Sequence, residues 1–452
     1  MGIGLWIGRK VHGSSDFFVA GRRFGPLLLF STMLAANIGA GSTVGAAGLA
    51  YRDGLSVWWW VGSAGLGSIV LAFWVGPAVR RLGAVHDLRT VGDFLEHRYG
   101  PSVRVTIAML FWFATLAILA GQIAGMSRVL GAVTGIDQWV GCVIGGVVVT
   151  VYFSAGGLLT AAWVNVVQLT VLLVGFAVAL PFTLTAVGGW DQVVDTTSSI
   201  DGYWNFWQGG SSGWFYLVML GPAFIISPGL LQKIYGARDD RTVRIGVGLN
   251  ATALLVFAIA PVVLGMIARS AYPELSSPDQ ALPTLLLNAL PPVLGGLGLA
   301  AVFSAEVSSA DTILFMLSTS LSQDLYRRFL RPTASDLSVV RVARGAAIAG
   351  GVLGTLWALS FESIVDALSV FYTLLTVSLF VPVLAGLYVR RVAAPEALSA
   401  TATGVAIVIV VQLSTNGEGI GIFTPVMIGL TAAVIGCGTV GALRRITNRS
   451  VS

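Results

Sequence analysis

The sequence predicts an all-α polytopic membrane protein built from two inverted five-helix repeats. Three observations carry this expectation. Hydrophobic residues fill 56% of the 452 positions and charged residues only 10%, against about 25% charged in soluble domains. Apolar runs of spanning length recur along the whole chain, and two of them are interrupted by Gly, Pro and Ser at corresponding places in its two halves. Finally, Lys and Arg gather in alternate connections between the runs.

Taken in order, residues 1–24 begin with Met1 to Gly8 (MGIGLWIG), which has the character of the end of a leading helix. It is too short to cross a bilayer and lacks the layout of a cleavable signal, so a truncated leading helix with a misassigned start site is expected. The first repeat is expected over 25–188, with spans at 25–50, 55–79, 104–130, 135–156 and 160–188. The second is expected over 213–389, with spans at 213–234, 245–268, 293–322, 340–361 and 364–389. Two additional C-terminal helices, 397–414 and 420–443, bring the total to twelve spans near or above the roughly 20 residues a bilayer requires. Five is odd, so the repeats face opposite ways. The longest outside connection, 189–212, has no room for a soluble domain.

Orientation follows from the basic residues, because Lys and Arg concentrate in cytoplasmic loops. With residues before 25 placed inside, Arg9, Lys10, Arg22 and Arg23 share a side with Arg80, Arg81, Arg89, Arg98 and Arg104. Lys233 and the later basic clusters up to Arg449 join them, making 23 of 26, and only Arg52, Arg128 and Arg269 fall outside. A cytoplasmic C-terminus in a prokaryotic inner membrane is expected. The formal charge of +5 is then a topological signal and requires no nucleic acid. Cys142 and Cys437 sit in apolar runs and the three histidines lack ligand spacing, so neither a disulfide nor a transition-metal site is expected.

The first interruption is Leu34 to Gly45 (LAANIGAGSTVG), with Asn37 at its centre; the second is Leu220-Gly221-Pro222 followed by Ser227-Pro228-Gly229. Such breaks free backbone groups that must find a partner or line a cavity, and a matched pair points to a transport site. One interruption alone would be explained by close packing or a kink. Span 293–322 carries Ser304 to Thr312 (SAEVSSADT). At about 100° per residue, Ala305, Ser308, Ser309 and Thr312 share a face rich in oxygen, suited to a hard monovalent cation. Glu306 and Asp311 lie off that face. Each is open to two readings, a structural hydrogen bond or a role in handling ions, protons or solute.

Several stretches resemble the sodium:solute symporter family. They are Asp16 to Arg22 (DFFVAGR), the broken helix Leu34 to Gly54, Thr90 to Gly100 (TVGDFLEHRYG) and Tyr152 to Gln168 (YFSAGGLLTAAWVNVVQ). Gln232-Lys233 with Ala237-Arg238-Asp239, and Ser308-Ser309 leading to Asp324-Leu-Tyr326, extend the similarity over nearly the whole chain. The resemblance implies a LeuT-type five-plus-five inverted repeat working by alternating access. It also implies a sodium ion held by the carbonyls of Ala35, Ile38 and Ala305 and the hydroxyls of Ser308 and Ser309. By position it implies solute contacts from Ser42, Trp60, Trp112, Tyr216, Tyr372 and Thr376, and coupling or gating roles for Asn37, Asn165, Pro228, Glu306 and Asp311. Asn165 stands where the family's motif has an acidic residue, which argues against a second, carboxylate-dependent sodium. Val61 and Ser227-Pro228 stand where sugar-transporting members carry polar groups, which argues against a sugar.

The expected function is sodium-coupled symport of a small organic solute, an amino acid or carboxylate before a sugar, with solute and bilayer as the only partners inferable. Proton coupling through Glu306 or Asp311 is one alternative. A solute sensor is another, although the chain ends about ten residues after its last span. No nucleophile–base pair or phosphate loop supports an enzyme.

Overall fold

The computed structural model describes residues 22–154, 158–361 and 363–450. The expected leading helix, most of the Asp16 to Arg22 motif and the centre of the Tyr152 to Gln168 motif lie outside the described residues. Elsewhere the chain is almost entirely helical. Ten helices are long and apolar enough to cross a membrane, and two further expected spans appear as the shorter helices Pro26–Asn37 and Gln138–Ser154.

The two expected breaks are present. Helix α1 (Pro26–Asn37) stops at Ile38, and a single 3-10 turn at Ala40–Ser42 leads into α2 (Val44–Asp53). At Gly54 the chain takes φ +73, and a Cβ there would meet the Tyr203 carbonyl oxygen at 2.0 Å, so only glycine fits. The second span is α3 (Trp58–Val70), a π-helical stretch and α4 (Gly76–Val85). The short helix α5 (Val91–Tyr99) opens on a capping box: Thr90 Oγ1 accepts from the Asp93 amide while the Asp93 carboxylate accepts from the Thr90 amide. Next come α6 (Pro101–Thr134), α7 (Gln138–Ser154) and α8 (Leu158–Ala186).

The 189–212 connection folds into α9 (Trp190–Thr197) and a small hairpin, β1 (Gln208–Gly209) with β2 (Ser212–Gly213). Asp53 fastens the hairpin by accepting from Ser211 and Ser212. Helix α10 (Tyr216–Ile226) ends because Pro228 disfavours helical backbone at Ser227, whose ψ is 119. The same proline starts α11 (Pro228–Tyr235), where a missing N–H costs nothing.

The chain continues through α12 (Asp240–Phe257), α13 (Ile259–Ala271), α14 (Ala281–Asn288) and α15 (Pro292–Thr319), which runs on as a π-helix to Leu330. Helices α16 (Asp336–Ala358) and α17 (Ile364–Tyr388) follow. The last pair, α18 (Ala394–Ser414) and α19 (Pro425–Ser450), is clasped by Arg444 on Glu396 at 2.7 Å.

The packing has an internal symmetry. α3 packs on α10 and α12 on α1; α6 packs on α17 and α15 on α8; α6 packs on α16 and α15 on α7. Each pair becomes its partner when the first five spans are exchanged with the next five. The broken spans and α15 are buried at the centre, whereas outer helices expose large apolar side chains such as Trp74 at 63% and Leu413 at 77%. In a chain this apolar, such a surface is the face turned to lipid.

Candidate functional site

The site starts from an accounting of backbone hydrogen bonds at the end of α1. In an unbroken helix the carbonyls of Ala35 and Ala36 would accept from the amides of Gly39 and Ala40. Those amides are used elsewhere. Gly39 donates to Ser42 Oγ at 3.0 Å and Ala40 to Gln122 Oε1 at 2.8 Å. The released carbonyls are met from α15, where Ser308 Oγ donates to Ala35 O at 2.7 Å. Ser309 Oγ lies 3.2 Å from Ala35 O, 3.4 Å from Ala36 O and 3.0 Å from Ile38 O.

Four of the five expected sodium ligands therefore converge within hydrogen-bonding distance. The fifth residue, Ala305, is buried one turn away on the same face of α15. The donors are all neutral oxygens, two carbonyls and two hydroxyls, which a hard monovalent cation prefers. Gly39 makes the approach of the two helices feasible: a Cβ there would fall 2.5 Å from both Gln122 Oε1 and Ser309 Oγ.

Beside the break lies a cavity of about 60 Å³ between α1, α3, α6, α10, α15 and α17. Ser42, Trp60 and Tyr372 line it, as do Asn37, Gln122 and Ser227, and no charged side chain among the described residues does. Ser42 Oγ lies 3.2 Å from the carbonyls of both Asn37 and Gly39, and Trp60 Nε1 donates to Gly41 O at 2.9 Å. Asn37 Nδ2 donates to Asn250 Oδ1 at 3.0 Å, tying α1 to α12.

The other three expected solute contacts stand away from this lining. Tyr216 packs edge-on against Trp60 at 5.0 Å and lies 3.4 Å from Ser212 Oγ. Thr376 Oγ1 donates to Met219 O at 2.7 Å, and Trp112 is half-buried with no hydrogen-bond partner for Nε1 among the described residues. Pro228 lines a neighbouring cavity with Thr90, Gln232, Thr319 and Asp324, and Met316 borders both cavities.

Buried polar groups surround the break. Glu306, wholly buried, has no partner for either carboxyl oxygen among the described residues, and the Asn165 amide is likewise unbonded. Gly125 leaves room for the Glu306 carboxyl on the α6 side. Lys233, counted above among loop cations, is instead buried within α11 and donates to Thr32 O at 2.8 Å. A side chain can lie next to a basic loop in sequence and still point into the bundle. At the far end of the second cavity Arg104 binds Asp324 at 2.6 Å, Glu96 at 2.7 Å and Asp93 at 2.9 Å, while Thr90 Oγ1 donates to Asp324 at 2.7 Å.

The sodium:solute symporter family model matches residues 17–404. The chain belongs to the sodium:solute symporter family. Among curated relatives, the human sodium/iodide cotransporter is 27% identical over 77% of this chain and 57% of its own length. The high-affinity choline transporter 1 of Drosophila melanogaster is 25% identical over 84% of this chain and 63% of its own. The sodium/pantothenate symporter of Escherichia coli K12 is 27% identical over 86% and 83%. The chain thus spans about three fifths of the length of the first two.

A solved Na+-coupled sialic acid symporter, in a substrate-bound outward-open state, matches with a TM-score of 0.80 at 20% identity, over 98% of this chain and 94% of that one. A nucleobase-cation-symport-1 family transporter, closed around bromovinylhydantoin, gives 0.65 at 14% identity over 97% and 96%. These likenesses establish the LeuT-type five-plus-five fold with two broken helices, as expected. Members of this family are transporters, and the ten helices long and apolar enough to cross a membrane make this a multi-pass membrane protein.

Reasoning from sequence alone did not reach Gln122, Lys233 or the Arg104 cluster. Gln122 carried a usable signal, being a lone amide in an otherwise apolar run. The Arg104 cluster joins α5 and the start of α6 to Asp324, 220 residues further along the chain, and carried none.

Proposed function

We propose that the chain is a sodium-coupled secondary active symporter of a small organic solute, working by alternating access. The observation that carries this reading is the convergence of Ser308 and Ser309 of α15 on the carbonyls of Ala35 and Ile38 at the end of α1. The Ser308 and Ser309 hydroxyls would turn their hydrogens away and sodium would sit between these oxygens, pinning α1 to α15 and stabilising one orientation of the bundle. A ligand shifts such an equilibrium only by binding one state better, so sodium and solute raise each other's affinity by the same factor.

The solute would bind in the cavity at the break, in contact with Ser42, Trp60 and Tyr372. Pockets for drug-sized ligands measure roughly 300–1,000 Å³, so a cavity of about 60 Å³ would have to widen to admit such a solute. Its uncharged, largely apolar wall, with the rings of Trp60, Phe224, Phe371 and Tyr372, favours a small solute with an apolar part, and amino acids or carboxylates remain preferred to sugars. The repeats would run over 25–188 and 213–389, with 397–443 outside them. The basic loops and C-terminus would face the cytoplasm of a prokaryotic cell. Asn37, Asn165 and Pro228 would act in coupling between the two halves.

Proteoliposomes given an inward sodium gradient should accumulate solute, and Ser308→Ala with Ser309→Ala should abolish or strongly weaken the sodium dependence. Unchanged sodium dependence in the double variant would sink the assignment. The unbonded Glu306 carboxyl supports a second reading, proton coupling at Glu306 with Asp311. That reading requires uptake driven by a pH gradient in sodium-free buffer, lost in Glu306→Gln.

A further inference from the structure

Lys233 holds a tethered amine in a position built of hard oxygens. Its ammonium donates to Thr32 O on α1 at 2.8 Å and to Thr312 Oγ1 on α15 at 3.5 Å. Thr312 lies one turn beyond Ser308 and donates back to its carbonyl at 3.4 Å. The ammonium thus bridges the two helices that supply the Ser308–Ser309 oxygens, and its own stem adds a third, α11. Asp311, next to Thr312 on α15, lies within electrostatic reach of it but makes no direct ion pair, and Asp311 Oδ2 has no hydrogen-bond partner among the described residues. Lys233 is 2% exposed and Asp311 3%. Removing one member of so deeply buried a pair leaves the other charge uncompensated.

We propose that the Lys233 ammonium is a resident cation that occupies a second cation position beside the Ser308–Ser309 site, with Asp311 as its counter-ion, so that the chain binds one sodium ion and not two. The inference rests on the sodium reading above. An ammonium carries the same charge as sodium and satisfies carbonyl, hydroxyl and carboxylate oxygens alike. It differs in being covalently tethered: it moves with α11 and cannot dissociate, so it contributes bridging charge in every conformation without adding an ion to the cycle.

The test is equilibrium binding of radiolabelled sodium to the detergent-solubilised full chain, with sodium as the only ligand. Wild type should bind one ion per chain without cooperativity. Lys233→Ala leaves Asp311 uncompensated among open oxygens and should bind two. Lys233→Met with Asp311→Asn removes the pair whole, and should return the count to one with an affinity within about threefold of wild type, well under the tenfold that corresponds to 1.4 kcal/mol. Two ions bound to wild type, or one bound to Lys233→Ala, would overturn the proposal while leaving sodium coupling intact. So would loss of all binding in the double variant, which makes Lys233 part of the first site and remains decisive if Lys233→Ala does not fold. No sodium bound to wild type would instead remove the sodium reading itself.

Discussion

Gly39 has its importance through what surrounds it. Its amide is diverted to Ser42, its missing side chain admits Gln122 and Ser309, and the carbonyl of Ile38 just before it faces α15. Gly39→Ala would push a methyl group to 2.5 Å from the Ser309 hydroxyl and must displace it. We expect sodium binding to weaken by about tenfold or more, equivalent to roughly 1.4 kcal/mol or more, with the protein still folded. A sodium titration of the purified variant checks this, and an unchanged half-saturation would show that Ser309 is not needed at the site. Gln122 is the complementary case: its Oε1 replaces a helical carbonyl for the Ala40 amide, so this amide group holds the break open from the side of α6.

Among the elements, α5 does the most with the fewest residues. Capped by Thr90, it presents Asp93 and Glu96 to Arg104 at the start of α6, and Glu96 also receives Arg328 from the end of the α15 π-helix. Burial alone would raise the Glu96 carboxyl, but hydrogen bonds from Arg328 and Arg104 outweigh it and hold the group below its ordinary 4.5. A carboxyl depressed in the folded state contributes stability above its ordinary value, and that contribution is lost as pH falls through the folded value. The melting temperature of the solubilised protein should therefore fall as pH drops below 4.5. The fall should be shallower in Glu96→Gln, and parallel curves for the two proteins would mean that the cluster contributes nothing at that end.

At the scale of the molecule, the exchange symmetry of the packing fits the proposed cycle, in which two ends would open in turn around a fixed centre. Toward the proposed cytoplasmic side Arg104 and Thr90 bind Asp324, beside the cavity bordered by Met316 and Pro228, and this cluster would close that end. Asp324→Asn should weaken that closure and shift the population toward the state open on that side. A single cysteine introduced at Ser320, which lines the same cavity, should then react several-fold faster with a hydrophilic maleimide. Sodium should slow the reaction again if it stabilises the opposite orientation. Equal labelling rates with and without the Asp324 charge would show that closure lies elsewhere.

The chain by itself determined the span count, the two breaks and the oxygen-rich face of α15. Each of these is written locally, as an apolar run, as Gly39 and Pro228 inside such runs, and as the spacing of Ser308, Ser309 and Thr312. Most span ends agreed to within a few residues because the bilayer length and the polar loops set them, but the spans expected over 55–79, 293–322 and 420–443 run on to Val85, Leu330 and Ser450. What only the tertiary structure decided was where the polar groups meet. Trp60, Ser42 and Tyr372 share a cavity while Trp112, Tyr216 and Thr376 do not, and adjacency in a helix says nothing of which neighbour a face receives. Lys233 makes the point most directly. Its sequence neighbours Gly236 to Asp240 read as a loop, but the turn of α11 carries its side chain inward to Thr32, two hundred residues away in the chain. Hydrophobic periodicity is a local property, whereas the partner of a buried charge is set by the packing of helices that the sequence does not place side by side.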